Sequence, residues 1–348
     1  MVLRDKITDE ELLSYVRQRL DDLTKPKDSL GYLEKIVEKF ALITGKTEFQ
    51  LPLKKIISVF CGDHGIAEEG VSAYPQEVTK QMVYNFVRGG AAINVIAKFV
   101  GADVFVVDVG VKGKIEKTGE GLWDFFIDSK IREGTRNFIK EPAMTPDEAK
   151  KSIEVGYKMS ETAQKYDIAV PGDMGIGNTT PSSAIVSFIT EQPPEKVVGR
   201  GTGIDDQKLK RKIEIVRQAI EKWRPKDGLE ALEKFGGFEI GAIAGFILGC
   251  VEKKIPVVVD GIISLAGFCV AYSIDKSVSK KVFFGHKTYE PGGVVIPEFF
   301  GERPIIDLEM RLGEGTGGAI ATNIIEIALN LYMNMATFSS AGVSRKIS

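Results

Sequence analysis

The sequence predicts an α/β fold, an open parallel sheet with helices packed against it. Two observations predict it. Five short apolar runs each end in a glycine-containing loop, and segments of helical length lie between them. The runs do not alternate cleanly between apolar and polar residues, which is the pattern of parallel strands covered on both faces. Runs of this kind alternating with helices build an open α/β sheet.

The chain opens with helices. The segment ITDEELLSYVRQRLDDL places Leu12, Val16 and Leu20 on one face. Pro26 interrupts it. A second helix is expected from Asp28 or Ser29, either of which is a capping residue, with Leu30, Leu33, Val37 and Phe40 as its apolar stripe. No strand signal precedes Leu53, so this pair reads as a small helical unit beside the main domain.

The strands follow. KKIISVFCGDHG holds the first, and Val104 to Asp108 the second. Others are expected from Asp167, from Ile255 and from Lys281. Helices are expected over about 76–99, 147–165, 178–190, 207–222 and 239–250. From about Gly317 an apolar helix rich in Ala, Ile, Leu and Met suits core or dimer packing, and the tail SSAGVSRKIS reads as loosely held. In such sheets ligands bind outside the carboxyl ends of the strands. The loops Cys61–Gly65, Asp108–Gly110, Gly172–Asn178, Asp260–Gly261 and Gly285–Gly292 should therefore meet at one rim.

Bulk properties narrow the function. The 348 residues suit two domains, or one large domain with an accessory. With 46 basic and 48 acidic side chains, the net charge of −2 gives no electrostatic reason to expect nucleic acid or an acidic membrane as partner. Cys61, Cys250 and Cys269 are far apart, with neither a CxxC pair nor zinc spacing. The charged opening MVLRDKITDEELL lacks an apolar signal core, and no apolar stretch is long enough for a membrane span. A reduced, cytoplasmic setting is the expectation.

Four segments suit chemistry. In PGDMGIGNTTPSSAI, glycines 172, 175 and 177 permit tight turns, and Asn178, Thr179 or Thr180 suits the cap of the next helix. Exposed N–H groups at a helix start bind phosphate or ribose, although a purely structural turn has the same glycines. It is neither a GxGxxG fingerprint nor a GxxxxGK[ST] loop, which argues against a nicotinamide-dependent oxidoreductase. In GRGTGIDDQKLKRK, Asp205 and Asp206 suit a helix start, and Lys212 is either an anion contact or a solvated surface charge. In MRLGEGTGG, Glu314 stands between two glycines before the apolar helix. Desolvation would make it a general base; the plainer reading is a helix N-terminal charge beside Thr316. In CGDHGIAEEGVSAYPQEVTKQMVYNFVRGGAAIN, Gln81 and Asn85 share a helix face and are open to orienting a flat heterocycle or facing water. His64 and His286 with Asp63 and Asp108 have no metal-ligand spacing, and no metal is expected. Asp260 and Thr288, with Lys287 and Glu290, follow later strands and are open to the same rim.

Together these segments resemble the nicotinate-nucleotide:dimethylbenzimidazole phosphoribosyltransferase family of cobalamin synthesis. The resemblance rests on LTKPKDSLGYLE, the segment from CGDHG to GGAAIN, PGDMGIGNTT, GRGTGIDD, GGFEIGAIAG and RLGEGTGG, in this order over most of the chain. It implies a Rossmann-like catalytic domain over 51–318, a small helical domain from residues 1–50 and 319–348, and a homodimer. It implies no cofactor and no metal. The reaction implied displaces nicotinate from β-nicotinate mononucleotide by 5,6-dimethylbenzimidazole, giving α-ribazole 5′-phosphate.

The same resemblance distributes roles. It gives Glu314 that of general base. It gives phosphate and ribose binding to Asp173, Gly175, Ile176, Gly177, Asn178 and Lys212, and the benzimidazole to Gln81 and Leu312, with Asp260 and Thr288 as further candidates. Asp173 stands where the family's loop has a glutamate, one methylene longer. Two alternatives stay open: another aromatic acceptor, such as adenine, another benzimidazole or a phenol, and a mononucleotide-binding protein without catalysis.

Overall fold

A computed structural model describes residues 8–344. Six strands form one parallel sheet: β1 (Lys55–Gly62), β2 (Ala102–Gly110), β3 (Phe126–Asp128), β4 (Ile168–Met174), β5 (Val257–Val259) and β6 (Val282–Phe284). Their spatial order is β3-β2-β1-β4-β5-β6. Connectivity reverses between β1 and β4, and that reversal opens a crevice at the carboxyl ends of the two strands. β1 is central and buried along its whole length, pairing Lys55 with Ala102 on one side and with Ile168 on the other.

The five expected strands are present. β3 is an addition to these five, an edge strand of only three residues.

Thr8 caps α1 (Asp9–Asp22). The next helix, α2 (Tyr32–Thr44), starts later than expected, with Gly31 at its N-cap. Asp28 does not cap it. Its φ of 59° places it in a left-handed turn, and the chain turns again at Gly31 before the helix begins. The single helix expected over 76–99 is two, α3 (Glu77–Val87) and α4 (Ala92–Val100). Gly89 breaks it at φ 76°, and a Cβ on Gly90 would stand 2.4 Å from Asn85 Oδ1.

The remaining helices are α5 (Pro146–Ala163), α6 (Thr179–Thr190), α7 (Pro194–Val197), α8 (Asp206–Trp223), α9 (Gly228–Phe235), α10 (Phe238–Glu252), α11 (Ile262–Ile274), α12 (Pro291–Phe300), α13 (Thr316–Asn334) and α14 (Phe338–Ala341). α10 is apolar on nearly every side and correspondingly buried. It lies so close to α5 that a Cβ on Gly245 would meet the Ile153 carbonyl at 1.9 Å.

Two cores flank the sheet. One face carries Ile56 and Phe60 against Phe238, Phe246 and Phe268. The other carries Ile57 and Val59 against Phe86, Ile93, Ile325 and Leu329, and extends into α1 and α2 through Leu20 and Phe40. α1 meets the end of α13 there: Arg19 donates to the carbonyls of Tyr332 and Met333, and Leu23 bridges to Thr337. Residues 345–348 of the tail lie outside the described residues. No helix among the described residues is long and apolar enough to cross a membrane.

Candidate active site

The crevice at the ends of β1 and β4 is roofed by the loop that leads into α13. The loop can cross only because of its neighbours' missing side chains. A Cβ on Gly172 in β4 would stand 2.4 Å from the Glu314 carbonyl. Gly313, at φ 84°, passes over Asp173, whose carboxylate oxygens would be 3.2 and 3.3 Å from a Cβ there.

Glu314 itself adopts φ 62°. A non-glycine residue in the left-handed region costs about 1–3 kcal/mol and persists where its surroundings hold it. They do so from both sides. Asp260, at the end of β5, accepts the Gly315 amide on Oδ2 (3.1 Å) and the Gly318 amide on Oδ1 (2.9 Å). Ile93, in the first turn of α4, donates its amide to Glu314 Oε2 (3.2 Å).

The Glu314 side chain is buried, 6% exposed. Burial raises its pKa above the ordinary carboxylate value, the Ile93 amide partly offsets this, and the nearby Asp260 charge adds to it. Such a carboxylate is a better proton acceptor than a solvated one. Glu314 stands one residue before Gly315, the N-cap of α13, so it lies at the helix N-terminus but outside its first turn.

Asp173 lies beneath this loop. It is buried, accepts from Asn178 Nδ2 (3.0 Å) and has no partner on Oδ1 among the described residues. Burial, and then the charges of Asp260, Glu239 and Glu314, hold its pKa well above the ordinary range. Asn178 therefore spends its side chain on Asp173, and makes no side-chain cap for α6.

In the turn between β4 and α6, Gly177 has φ 90° and the Ile176 amide donates to Thr79 Oγ1 (3.0 Å). That bond uses one of the three amides of Gly175, Ile176 and Gly177.

Lys212 is fully buried, which excludes the solvated-surface reading. α8 is capped by Asp205 and otherwise highly charged, yet Lys212 points inward, where its ammonium donates to Thr179 Oγ1 (2.7 Å) and to the Gly199 carbonyl (3.1 Å). Burial lowers its pKa to about 8, against an opposing pull from the Glu290 carboxylate. The cation thus meets the first residue of α6, where the helix dipole also favours an anion.

The remaining candidates are less concentrated. Thr288 is buried and accepts the Glu290 amide (3.4 Å). Gln81 is exposed on α3 and lines a cleft of about 300 Å³ with Asp63, Gln76, Tyr84 and Lys112. Leu312 is 57% exposed. Glu314, Asp260, Asp173 and Asn178 form one contiguous polar cluster, and Lys212 sits at the far end of the same turn. Among the described residues no hydrogen bond links Gln81 to that cluster. No group of three or more His, Cys, Asp or Glu side chains among them is arranged to hold a metal ion.

A family model described as "Phosphoribosyltransferase" matches residues 6–343. A nicotinate-nucleotide–dimethylbenzimidazole phosphoribosyltransferase from Desulforamulus reducens is 47% identical over 342 residues, covering 97% of this chain and 96% of that protein. The enzyme of the same name from Geobacter sp. (strain M21) is 48% identical over 340 residues, with 97% and 96% covered. The crystal structure of CobT from Thermus thermophilus superposes with a TM-score of 0.91 at 40% identity, over 97% of this chain and 100% of that one. The chain belongs to the nicotinate-nucleotide:dimethylbenzimidazole phosphoribosyltransferase family.

In this member of the family, sequence reasoning missed the roles of three groups beside the site. Thr79 is an ordinary helix residue in sequence, and only the fold turns it toward the β4–α6 turn; Thr179 was a cap candidate, and the fold makes it the acceptor of the Lys212 ammonium instead. Glu239 left a signal: it is the one charged residue in α10 before the helix's last position, Glu252, and the structure buries it fully. Its Oε1 lies 2.7 Å from His64 Nε2.

Proposed function

We infer that the chain transfers the 5-phosphoribosyl group of β-nicotinate mononucleotide to 5,6-dimethylbenzimidazole, releasing nicotinate and giving α-ribazole 5′-phosphate. The observation that carries the mechanism is Glu314, a buried carboxylate of raised pKa held by its backbone at the mouth of the β1–β4 crevice.

One nitrogen of the benzimidazole attacks C1′ as the bond from C1′ to the pyridinium nitrogen breaks. The electron pair of that bond stays on nicotinate, which needs no acid to leave. The acceptor's second nitrogen then carries an acidic N–H, and Glu314 takes its proton. A positioned base of this kind is worth about 10²–10⁴ in rate. Attack from the face opposite the leaving group inverts C1′ from β to α, with no covalent enzyme nucleophile. Orientation of the two rings supplies much of the remaining advantage.

The donor's phosphate sits on the turn Gly175–Gly177 and is neutralised by Lys212, whose ammonium is already beside Thr179. Asp173 and Asn178 take the ribose. Gln81 and Leu312 border the acceptor, with Asp260 and Thr288 completing the rim. Residues 51–318 act as the catalytic domain, the helical segments 1–50 and 319–348 form the small one, and two copies associate as a homodimer.

A product assay tests the reaction. Purified protein is incubated with nicotinate mononucleotide and 5,6-dimethylbenzimidazole without added metal, and nicotinate is quantified with the mass and anomeric form of the new nucleotide. Nicotinate and an α-riboside 5′-phosphate in equal amounts are expected. Nicotinate without a new riboside would mean hydrolysis or another acceptor, and binding without any release would mean a mononucleotide-binding protein.

A further inference from the structure

His64 has no task in the chemistry above, yet it occupies a demanding position. It is fully buried at the carboxyl end of β1, and its Nε2 shares a 2.7 Å hydrogen bond with Oε1 of the equally buried Glu239. Glu239 stands in the first turn of α10, where the helix dipole favours a carboxylate. Backbone closes on the ring from two directions, and both approaches need glycine. A Cβ on Gly237 would meet His64 Cε1 at 2.3 Å. A Cβ on Gly175 would stand 3.1 Å from His64 Nε2 and 2.2 Å from the Gly62 carbonyl. The ring is therefore wedged between the start of α10 and the first residue of the β4–α6 turn.

That placement is costly for a residue that only fills space. His64 Nδ1 and Glu239 Oε2 are both buried without a hydrogen-bond partner among the described residues, and a hydrocarbon pair at the two positions would leave no such atoms. The segment around His64 is also fixed. Its carbonyl accepts from Gln76 Nε2 (2.9 Å), and the next amide, Gly65, donates to Thr135 Oγ1 (3.4 Å). Thr79 holds the Ile176 amide from another side. The turn is thus suspended between a helix hydroxyl and an anchored imidazole before any ligand arrives.

We propose that His64, anchored by Glu239, is a positioning residue that seats Gly175 so that the β4–α6 turn is preorganised for the phosphoribosyl donor. This rests on the reading of that turn as the donor's phosphate site. A donor amide must sit within hydrogen-bond distance of its anion to count, and a loose support forfeits that geometry. The turn holds a part of the donor remote from the reacting bond. Loosening it removes binding that is equal in ground and transition states, which raises KM and leaves kcat little changed.

The test compares His64→Ala, His64→Gln, Glu239→Gln and Lys212→Met with the unaltered protein. It measures kcat, KM for nicotinate mononucleotide, KM for 5,6-dimethylbenzimidazole and the thermal midpoint. His64→Ala should raise the mononucleotide KM about tenfold while kcat and the benzimidazole KM stay within about twofold. His64→Gln keeps a donor for Glu239 and should recover much of that loss. A general fall in kcat with both KM values moving together, or an unchanged mononucleotide KM in folded His64→Ala and His64→Gln, would overturn the proposal. If His64→Ala does not fold, Glu239→Gln carries the comparison: it weakens the anchor of the ring and should raise the mononucleotide KM, and an unchanged value in the folded variant would overturn the proposal. Lys212→Met separates the two readings. A raised mononucleotide KM there with none at His64 contradicts only the positioning role, whereas the reverse contradicts only the assignment of Lys212 to the phosphate.

Discussion

Asp260 holds the amide immediately after Glu314: its Oδ2 accepts the Gly315 N–H at 3.1 Å, while its Oδ1 accepts the Gly318 N–H at 2.9 Å. One carboxylate therefore holds two amides at the start of α13 and fixes the left-handed backbone that carries Glu314, the proposed base. Asp260→Ala would leave two buried amides unpaired, which costs about 1–3 kcal/mol each. The expected outcome is a lower unfolding midpoint together with a fall in kcat. Asp260→Asn keeps one acceptor and should lose less of both. Equal kcat in Asp260→Ala and the unaltered protein would show that Glu314 holds its place without this support.

Gly172 gives a steric counterpart. Gly172→Ala would drive a methyl group to 2.4 Å from the Glu314 carbonyl, and backbone cannot swing aside as a flexible side chain can. Overpacking of this kind costs about 1–3 kcal/mol, and here the displaced segment carries Glu314, the proposed base. The variant should lose stability in denaturant unfolding and lose turnover by more than its folded fraction explains. Full turnover in the folded variant would contradict the position assigned to the loop.

Lys212 predicts a pH dependence of donor binding. Burial lowers its pKa to about 8, so in the free protein the ammonium loses its charge as pH rises through that value. A bound phosphate favours the charged form, hence binding takes up a proton there. Affinity for nicotinate mononucleotide should fall as pH rises from 7 to 9, by calorimetry or KM. Lys212→Arg stays charged throughout this range, because a guanidinium does not lose its proton there, and its affinity should not show the fall. An identical pH dependence in both proteins would remove Lys212 from the phosphate site.

Asp173 predicts a pH dependence of stability. Its folded pKa is raised well above an unfolded value of about 3.9. A group of this kind contributes stability that is fully present below the unfolded pKa and is lost as pH rises through the folded one. Asparagine does not titrate, and its oxygen can still accept from Asn178. The unfolding midpoint of Asp173→Asn relative to the unaltered protein should therefore rise between pH 4 and pH 8. A difference that does not change with pH would contradict the raised pKa.

Much of this arrangement was legible in sequence because strands and glycines are local signals. The apolar runs at Ile56, Val104, Ile168, Val257 and Val282 marked five strands, and the strand-end rule brought Asp173 and Asp260 to one edge, while Glu314 stood out only by its flanking glycines. Contacts made at long range were not legible. Lys212 belongs to a helix whose charge pattern suits solvent, and only the approach of Gly199 and Thr179 makes it a buried cation. Asp28 satisfied the chemistry of a helix cap, but Gly31 turns the chain once more before the helix starts. Glu239 and His64 are separated by 175 residues, and nothing in either segment announces the other.

The most direct measurement is the single-turnover rate of Glu314→Gln with the mononucleotide site saturated and 5,6-dimethylbenzimidazole as acceptor. Glutamine preserves the side chain's size and can still accept the Ile93 amide, but it cannot take a proton from the azole nitrogen. The account predicts unchanged donor affinity and folding, with a rate lower by about 10²–10⁴. A rate equal to that of the unaltered protein would contradict Glu314 as the base and, with it, the mechanism.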